Sequence, residues 1–123
     1  EQKSVLPLYE HIAEIFVEFD VSKQIGLVVG GNCLDELQTI HRRFPSTPLL
    51  LPGIGSQGGE IEKVTSIIDN YDESSEAKNS IEKHNNDLVN VSRSVIYASA
   101  GKDWKDAARQ KARTFNLELG SGI

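Results

Sequence analysis

The stretch Pro48-Leu-Leu-Leu-Pro-Gly-Ile-Gly-Ser-Gln-Gly-Gly59 is a short apolar run that leads directly into a glycine-rich loop. An apolar run of this length, closed by turn residues, is typical of a strand that is buried on both faces of a parallel sheet. Glu60 and Glu62 follow, and acids favour a helix start because the N-terminal end of a helix carries a partial positive charge. The stretch therefore predicts a strand, a loop and a helix in succession.

Units of the same kind lie on either side of this stretch. The sequence predicts strands at 25–30 and 88–91, helices at 5–19, 34–44 and from 103 onward, and a short helical turn at 94–98, with Asn32 capping the second helix. Arg42 and Arg43 are interpreted as a solvated basic helix end. The alternation of helix and strand predicts a parallel sheet with helices packed outside it.

Length and charge limit the classes of protein that fit. The chain has 123 residues, which is enough for one domain. Thirteen Lys and Arg against eighteen Asp and Glu give a net charge of −5, which argues against a nucleic-acid partner. Cys33 is the one cysteine, so no internal disulfide is possible and a reducing, cytoplasmic setting is expected. No apolar run reaches the length of about 18 residues that a membrane span needs.

Two further features concern the extent of the chain. Residues 69–87 are rich in acids, Ser and Asn, and we interpret them as a polar, solvated insertion. The chain contains no methionine and opens on Glu1-Gln2-Lys3, so we expect it to be processed or incomplete.

The glycine-rich loop has the chemistry of an anion site. Successive glycines allow backbone N–H groups to approach a phosphate, and the next helix directs its positive end to the same place. Residues 53–58 also match G-x-G-x-x-G, but a dinucleotide site needs an acid about 20 positions on, at the end of a strand. Asp72 stands at that distance within the polar segment, so a dinucleotide site is disfavoured. A loop that only reverses the chain remains an alternative.

Arg93 shifts the balance toward phosphate. It follows the last predicted strand, and its planar guanidinium can hold a phosphate through two parallel hydrogen bonds. In (β/α)8 barrels a phosphate is frequently held by the loops after strands seven and eight together with a short extra helix. Residues 55–59, Ser92-Arg93 and the turn at 94–98 would supply those three parts.

Three blocks together resemble a known family. Gly26-Leu-Val-Val-Gly30, Leu51-Pro-Gly-Ile-Gly-Ser-Gln-Gly-Gly59 and Asn90-Val-Ser-Arg-Ser-Val-Ile-Tyr-Ala98 are similar to orotidine 5′-phosphate decarboxylase, in the branch typical of many bacteria. The resemblance extends from about Leu8 to Phe115. It implies an α/β chain that forms the C-terminal portion of a (β/α)8 TIM barrel, from the helix after strand five through units six to eight. Residues 1–123 would then be one part of a single barrel domain, with the insertion at about 69–87.

The resemblance also implies roles for individual residues. Gln57 and Arg93 would hold the substrate phosphate with their side chains, and the backbone N–H groups around Gly55 and Ser92 would complete that contact. Two further residues, Pro52 and Ile54, would line the pyrimidine and ribose side of the pocket. No residue of the chain is predicted to bind a metal.

The reaction implied by the resemblance is the decarboxylation of orotidine monophosphate to UMP in pyrimidine biosynthesis, without a cofactor. Its reactive centre is an Asp-x-Lys-x-x-Asp motif on an earlier strand, and this chain has no such motif. The nearest mixture, at residues 102–106, has the wrong order. We therefore expect no catalytic residue here, an inactive chain when alone, a missing N-terminal half as partner, and a homodimer in the complete enzyme.

Two alternatives remain open at this point. One is a non-catalytic half barrel that binds phosphate or nucleotide and assembles with another chain, and the other is a different phosphate-handling barrel such as an epimerase or a synthase. An Asp-x-Lys-x-x-Asp block upstream of Glu1 would favour the decarboxylase, whereas a natural Met start shortly before Glu1 would favour the half barrel. A barrel needs about 250 residues. Three strands cannot close one, so uncovered apolar surface is expected.

Overall fold

A computed structural model of the chain describes residues 6–55, 61–69 and 87–120. Helices and strands alternate in the predicted order, and a short helix precedes the last long one. The elements are α1 (Leu8–Phe19), β1 (Leu27–Val28), α2 (Leu34–Arg43), β2 (Leu49–Pro52), α3 (Ile61–Asp69), β3 (Leu88–Asn90), α4 (Arg93–Ile96) and α5 (Trp104–Glu118). Within the described residues, none of the helices combines the length and the apolar composition needed to span a bilayer.

The three strands form one parallel sheet in the order β1-β2-β3. Leu50 of β2 pairs with Val28 on one side and with Leu88 on the other. Beyond β1 the ladder continues, because the N–H of Gly31 donates to the carbonyl of Pro52 at 2.7 Å. The carboxyl ends of all three strands therefore lie at one edge of the sheet, as the sequence predicts.

The core lies between one face of this sheet and the helices. Leu49 and Leu51 of β2 are 2% and 0% exposed, and they pack in one cluster with side chains from four helices. The members of that cluster from the helices are Ala13, Leu37, Ile40, Ile61, Val64 and Phe115. Alternate residues of a strand point to opposite faces, so the helices cover the face that carries Leu49 and Leu51.

None of the described helices covers the opposite face of the sheet. Val28 and Leu88 are 68% and 67% exposed, and Leu50 between them is 37% exposed. The prediction of a strand buried on both faces is therefore wrong for Val28 of β1. The prediction of uncovered apolar surface is confirmed, because the helices that contribute to the buried cluster pack against the other face alone.

Helix α1 is joined to α2 by an ionic cluster. Arg43 donates to Glu10 at 2.6 Å and to Glu14 at 3.2 Å, and its guanidinium lies 5.2 Å from the centre of the Phe44 ring. Our interpretation of Arg42-Arg43 as a solvated helix end is wrong for Arg43. The two carboxylates from α1, one turn apart, hold its side chain against that helix.

Carboxylates organise the opposite, amino-terminal side of the strands. Asp20 accepts hydrogen bonds from the N–H groups of Gln24 and Ile25, at 2.8 and 3.0 Å, just before β1. Asp87 accepts one from the N–H of Leu49 at 2.8 Å and so links the start of β3 to that of β2. The predicted polar insertion begins at Asp69, the last residue of α3, and residues 70–86 lie outside the described residues.

Candidate functional site

The candidate site lies at the carboxyl edge of the sheet, where β2 and β3 end side by side. Pro52 pairs with Asn90, so residues 53–55 and 91–93 leave the sheet from neighbouring positions. Gly53 and Gly55 have φ values of 91° and 84°, a conformation in which a Cβ atom is strained. Glycine at these two positions allows the chain to turn sharply at the end of β2.

Gly55 also lies in close contact with the elements that follow β3. A Cβ atom on Gly55 would lie 3.1 Å from Ser94 Oγ and 3.2 Å from Phe115 Cζ. The backbone of the glycine-rich loop therefore packs directly against α4 and α5, with no room for a side chain. This contact brings Gly55 beside the residue that follows Arg93, as a shared phosphate site requires.

Ser92 and Arg93 form the start of α4. The carbonyl of Ser92 accepts hydrogen bonds from Val95 and Ile96, and its hydroxyl donates to Asn90 Oδ1 at 3.1 Å. The side chain of Arg93 is exposed, and within the described part of the chain its guanidinium forms no ion pair or hydrogen bond. A guanidinium with no protein partner keeps all five of its N–H donors available for a ligand.

The two residues predicted to line the pyrimidine side differ in placement. Pro52 is half-buried at the end of β2. Ile54 is 2% exposed, and its side chain lies over Gly31, where an added Cβ would come within 2.5 Å of Ile54 Cγ1. The side chain of Ile54 thus belongs to the core, which leaves its main chain as the part able to face a ligand.

Gln57, the remaining residue of the predicted phosphate site, lies in residues 56–60, outside the described residues. Of the predicted group, Gly55 lies beside Ser94, which directly follows Ser92 and Arg93 in the chain. Among the residues that the structure describes, no three His, Cys, Asp or Glu side chains form a cluster that could hold a metal ion.

Sequence reasoning missed two neighbours of this group. Gly31 gives Ile54 its place in the core, and the Gly30-Gly31 pair at the end of β1 was the available signal. Ser94 contacts the glycine-rich loop, but a serine after an arginine carries no sequence signal of its own. Both contacts join residues more than twenty positions apart, so local patterns do not reveal them.

A second concave surface lies away from the strand ends. It is an open apolar cleft of about 660 Å³ between α1 and the outer edge of β1, lined in part by Ile12, Phe16, Leu27 and Val29. Ile12 and Phe16 are 44% and 50% exposed there. The lining is mostly apolar and is continuous with the unpaired edge of the sheet, which is characteristic of a packing surface.

Comparison with known proteins gives consistent matches, although no family model matches the chain. It is 40% identical over 110 residues to orotidine 5′-phosphate decarboxylase of Herpetosiphon aurantiacus, covering 89% of this chain and 36% of that protein. It is also 40% identical over 114 residues to the enzyme of the same name from Halobacterium salinarum, covering 91% and 38%. The chain thus spans little more than a third of the length of these curated relatives.

Solved structures agree on the fold. Leishmania donovani UMP synthase matches with a TM-score of 0.64 and 28% identity, over 97% of this chain and 24% of that one. A Plasmodium yoelii structure described as a putative orotidine-monophosphate-decarboxylase matches with a TM-score of 0.54 at 24% identity, which supports the fold alone. The prediction of a portion of a TIM barrel is confirmed. The chain is therefore homologous to the orotidine 5′-phosphate decarboxylases, as its three sequence blocks predict.

Proposed function

We propose that this chain is the C-terminal, phosphate-binding part of an orotidine 5′-phosphate decarboxylase, which converts orotidine monophosphate to UMP and carbon dioxide. The observation that supports this proposal is the contact of Gly55 in the glycine-rich loop with Ser94, the residue that directly follows Arg93 in α4. The 40% identity to curated decarboxylases supports the choice of reaction.

Within this proposal the phosphate is bound mainly by charge and by backbone donors. The Arg93 guanidinium forms two parallel hydrogen bonds with phosphate oxygens, and the N–H groups around Gly55 and Ser92 add donors from the main chain. The side-chain amide of Gln57 contributes a further donor. Pro52 and the main chain of Ile54 border the pyrimidine and ribose.

The catalytic proton comes from outside this chain. The chain has no Asp-x-Lys-x-x-Asp motif, so the lysine that protonates the pyrimidine carbon belongs to the N-terminal part of the barrel. Binding energy from the remote phosphate lowers the barrier only when it acts on that centre. No cofactor is needed, because the lysine and the carboxylates supply the chemistry.

The uncovered surfaces support a larger assembly. Val28, Leu50 and Leu88 on one sheet face, together with the cleft beside β1, are the apolar surfaces that further barrel strands would cover. The complete enzyme in this proposal is one barrel domain, with a polar insertion at about 69–87 and this chain as its C-terminal part. It acts as a cytoplasmic homodimer.

Replacing Arg93 tests the proposed function. In the complete protein, Arg93→Ala should weaken UMP binding about 10- to 100-fold, because it removes a charged, bidentate contact, and should leave uridine binding nearly unchanged. Titration calorimetry with UMP and uridine measures both affinities. Arg109→Ala is the matched control, since Arg109 is an exposed arginine of α5 that pairs with Asp106 at 3.1 Å.

Two results would contradict the proposal. Equal losses of UMP and uridine affinity in Arg93→Ala would show that Arg93 does not bind the phosphate. Decarboxylation of orotidine monophosphate by the isolated 123-residue chain, at the rate of the complete enzyme, would show that the proton donor does not lie elsewhere.

A further inference from the structure

Ser94 occupies the junction between the two elements of the candidate phosphate site. Its Oγ atom is the nearest heavy atom to the point that a Cβ on Gly55 would occupy, at 3.1 Å. It directly follows Arg93 in the four-residue helix α4. The Ser94 side chain is half-buried. The ring of Phe115, which is 8% exposed, also lies against Gly55.

The hydroxyl of Ser94 forms no hydrogen bond within the described part of the chain. Its neighbours differ, because Ser92 Oγ donates to Asn90 Oδ1 at 3.1 Å and Ser99 Oγ donates to Asp103 Oδ1 at 2.7 Å. The described residues contain no fully buried side-chain oxygen that lacks a partner, so solvent or a ligand can reach the Ser94 hydroxyl. Ser94 therefore has a free donor beside the glycine-rich loop.

We propose that the Ser94 hydroxyl donates a hydrogen bond to a phosphate oxygen of the bound nucleotide, between the contacts made by Gly55 and Arg93. This inference rests on the proposed function, since it adds a ligand to the same phosphate site. The close approach of Gly55 restricts the Ser94 side chain before the ligand arrives, which lowers the entropy cost of forming the bond.

The test compares three variants of the complete protein. Ser94→Ala should weaken UMP binding about tenfold, since a hydrogen bond to a charged group is lost, with uridine binding unchanged. Ser94→Cys nearly keeps the size of the side chain but replaces the hydroxyl with a weak donor, so it should also weaken UMP binding. It therefore tests the hydroxyl even if Ser94→Ala folds poorly. Ser99→Ala is the control, because it removes a hydroxyl that is bonded to Asp103, and it should bind UMP like the wild type.

The outcomes separate this inference from the proposed function. If the wild type binds UMP and uridine equally, the phosphate site itself is wrong. If the wild type prefers UMP and both Ser94 variants retain that preference in full, the role of Ser94 is wrong and the proposed function stands. Equal losses of UMP and uridine affinity in the Ser94 variants would assign Ser94 to packing alone and would also overturn the inference.

Discussion

The two faces of the sheet are built from the same kinds of residue and have opposite environments. Leu49 and Leu51 are 2% and 0% exposed, whereas Leu50 between them is 37% exposed and its partners Val28 and Leu88 are 68% and 67% exposed. Strand β2 therefore has leucines on a face that the described helices cover and on a face that they leave open. The difference shows that a leucine in the same strand is buried or open according to which face of the sheet the described helices cover.

The covered and open faces also differ in what they support. The glycine-rich loop is supported from the covered side, because Gly55 packs against Phe115 of the buried cluster. Among the described residues, the nearest side chains to Gly55 therefore come from α4 and α5. The open face and the cleft beside β1 have no comparable support within the described residues.

The largest expected effect comes from truncating leucines on the two faces of β2. Leu51→Ala should lower the free energy of unfolding by about 3 kcal/mol, because it leaves a cavity in a fully buried site. Leu50→Ala removes the same atoms from a partly exposed site and should cost less than about 1 kcal/mol. Urea denaturation of this chain measures both, and similar losses would mean that the two faces are equally covered.

The sequence predicts the order of elements well because the signals for them are local. The apolar run at 48–52, its terminating glycines and the spacing of apolar residues in the helices need no knowledge of distant contacts. The sequence does not predict which face of β2 is covered, because Leu50 and Leu51 are the same residue type in the same apolar run. The N-cap of α2 also differs by one residue from the predicted Asn32, because Cys33 occupies that position. Asn32 Oδ1 instead accepts a hydrogen bond from the Cys33 thiol at 3.8 Å.

Candidate site residues can be chosen from the sequence in the same way. Gly55 and Arg93 are candidates because glycine and arginine at strand ends have recognisable chemistry, and their role stays a prediction. The burial of Ile54 depends on Gly31, and the contact of Ser94 depends on Gly55. In both pairs the two residues lie far apart in the chain. Such details follow from packing and are not encoded in a short motif.

A second prediction concerns the support of the loop from the covered side. Gly55→Ala should cost about 2 kcal/mol, because a Cβ is strained at φ 84° and also meets Ser94 and Phe115. Gly120→Ala has similar strain at φ 70° with no heavy atom within 4 Å, so it should cost about 1 kcal/mol. Thermal unfolding of both variants gives the difference, and equal losses would indicate that the packing around Gly55 is loose.

The smallest expected effect concerns α1, which contacts the covered side partly through charge. Arg43→Met keeps the aliphatic stem but leaves Glu10, 12% exposed, without its cation, so we expect a loss of about 1 kcal/mol at low salt. Arg42→Met changes the neighbouring, exposed arginine and should be nearly neutral. Urea denaturation at low and high NaCl checks this, because salt screens the attraction and should narrow the difference between the two variants. A salt-independent difference would instead assign the effect of Arg43 to its contact with Phe44, where the guanidinium lies 5.2 Å from the ring centre.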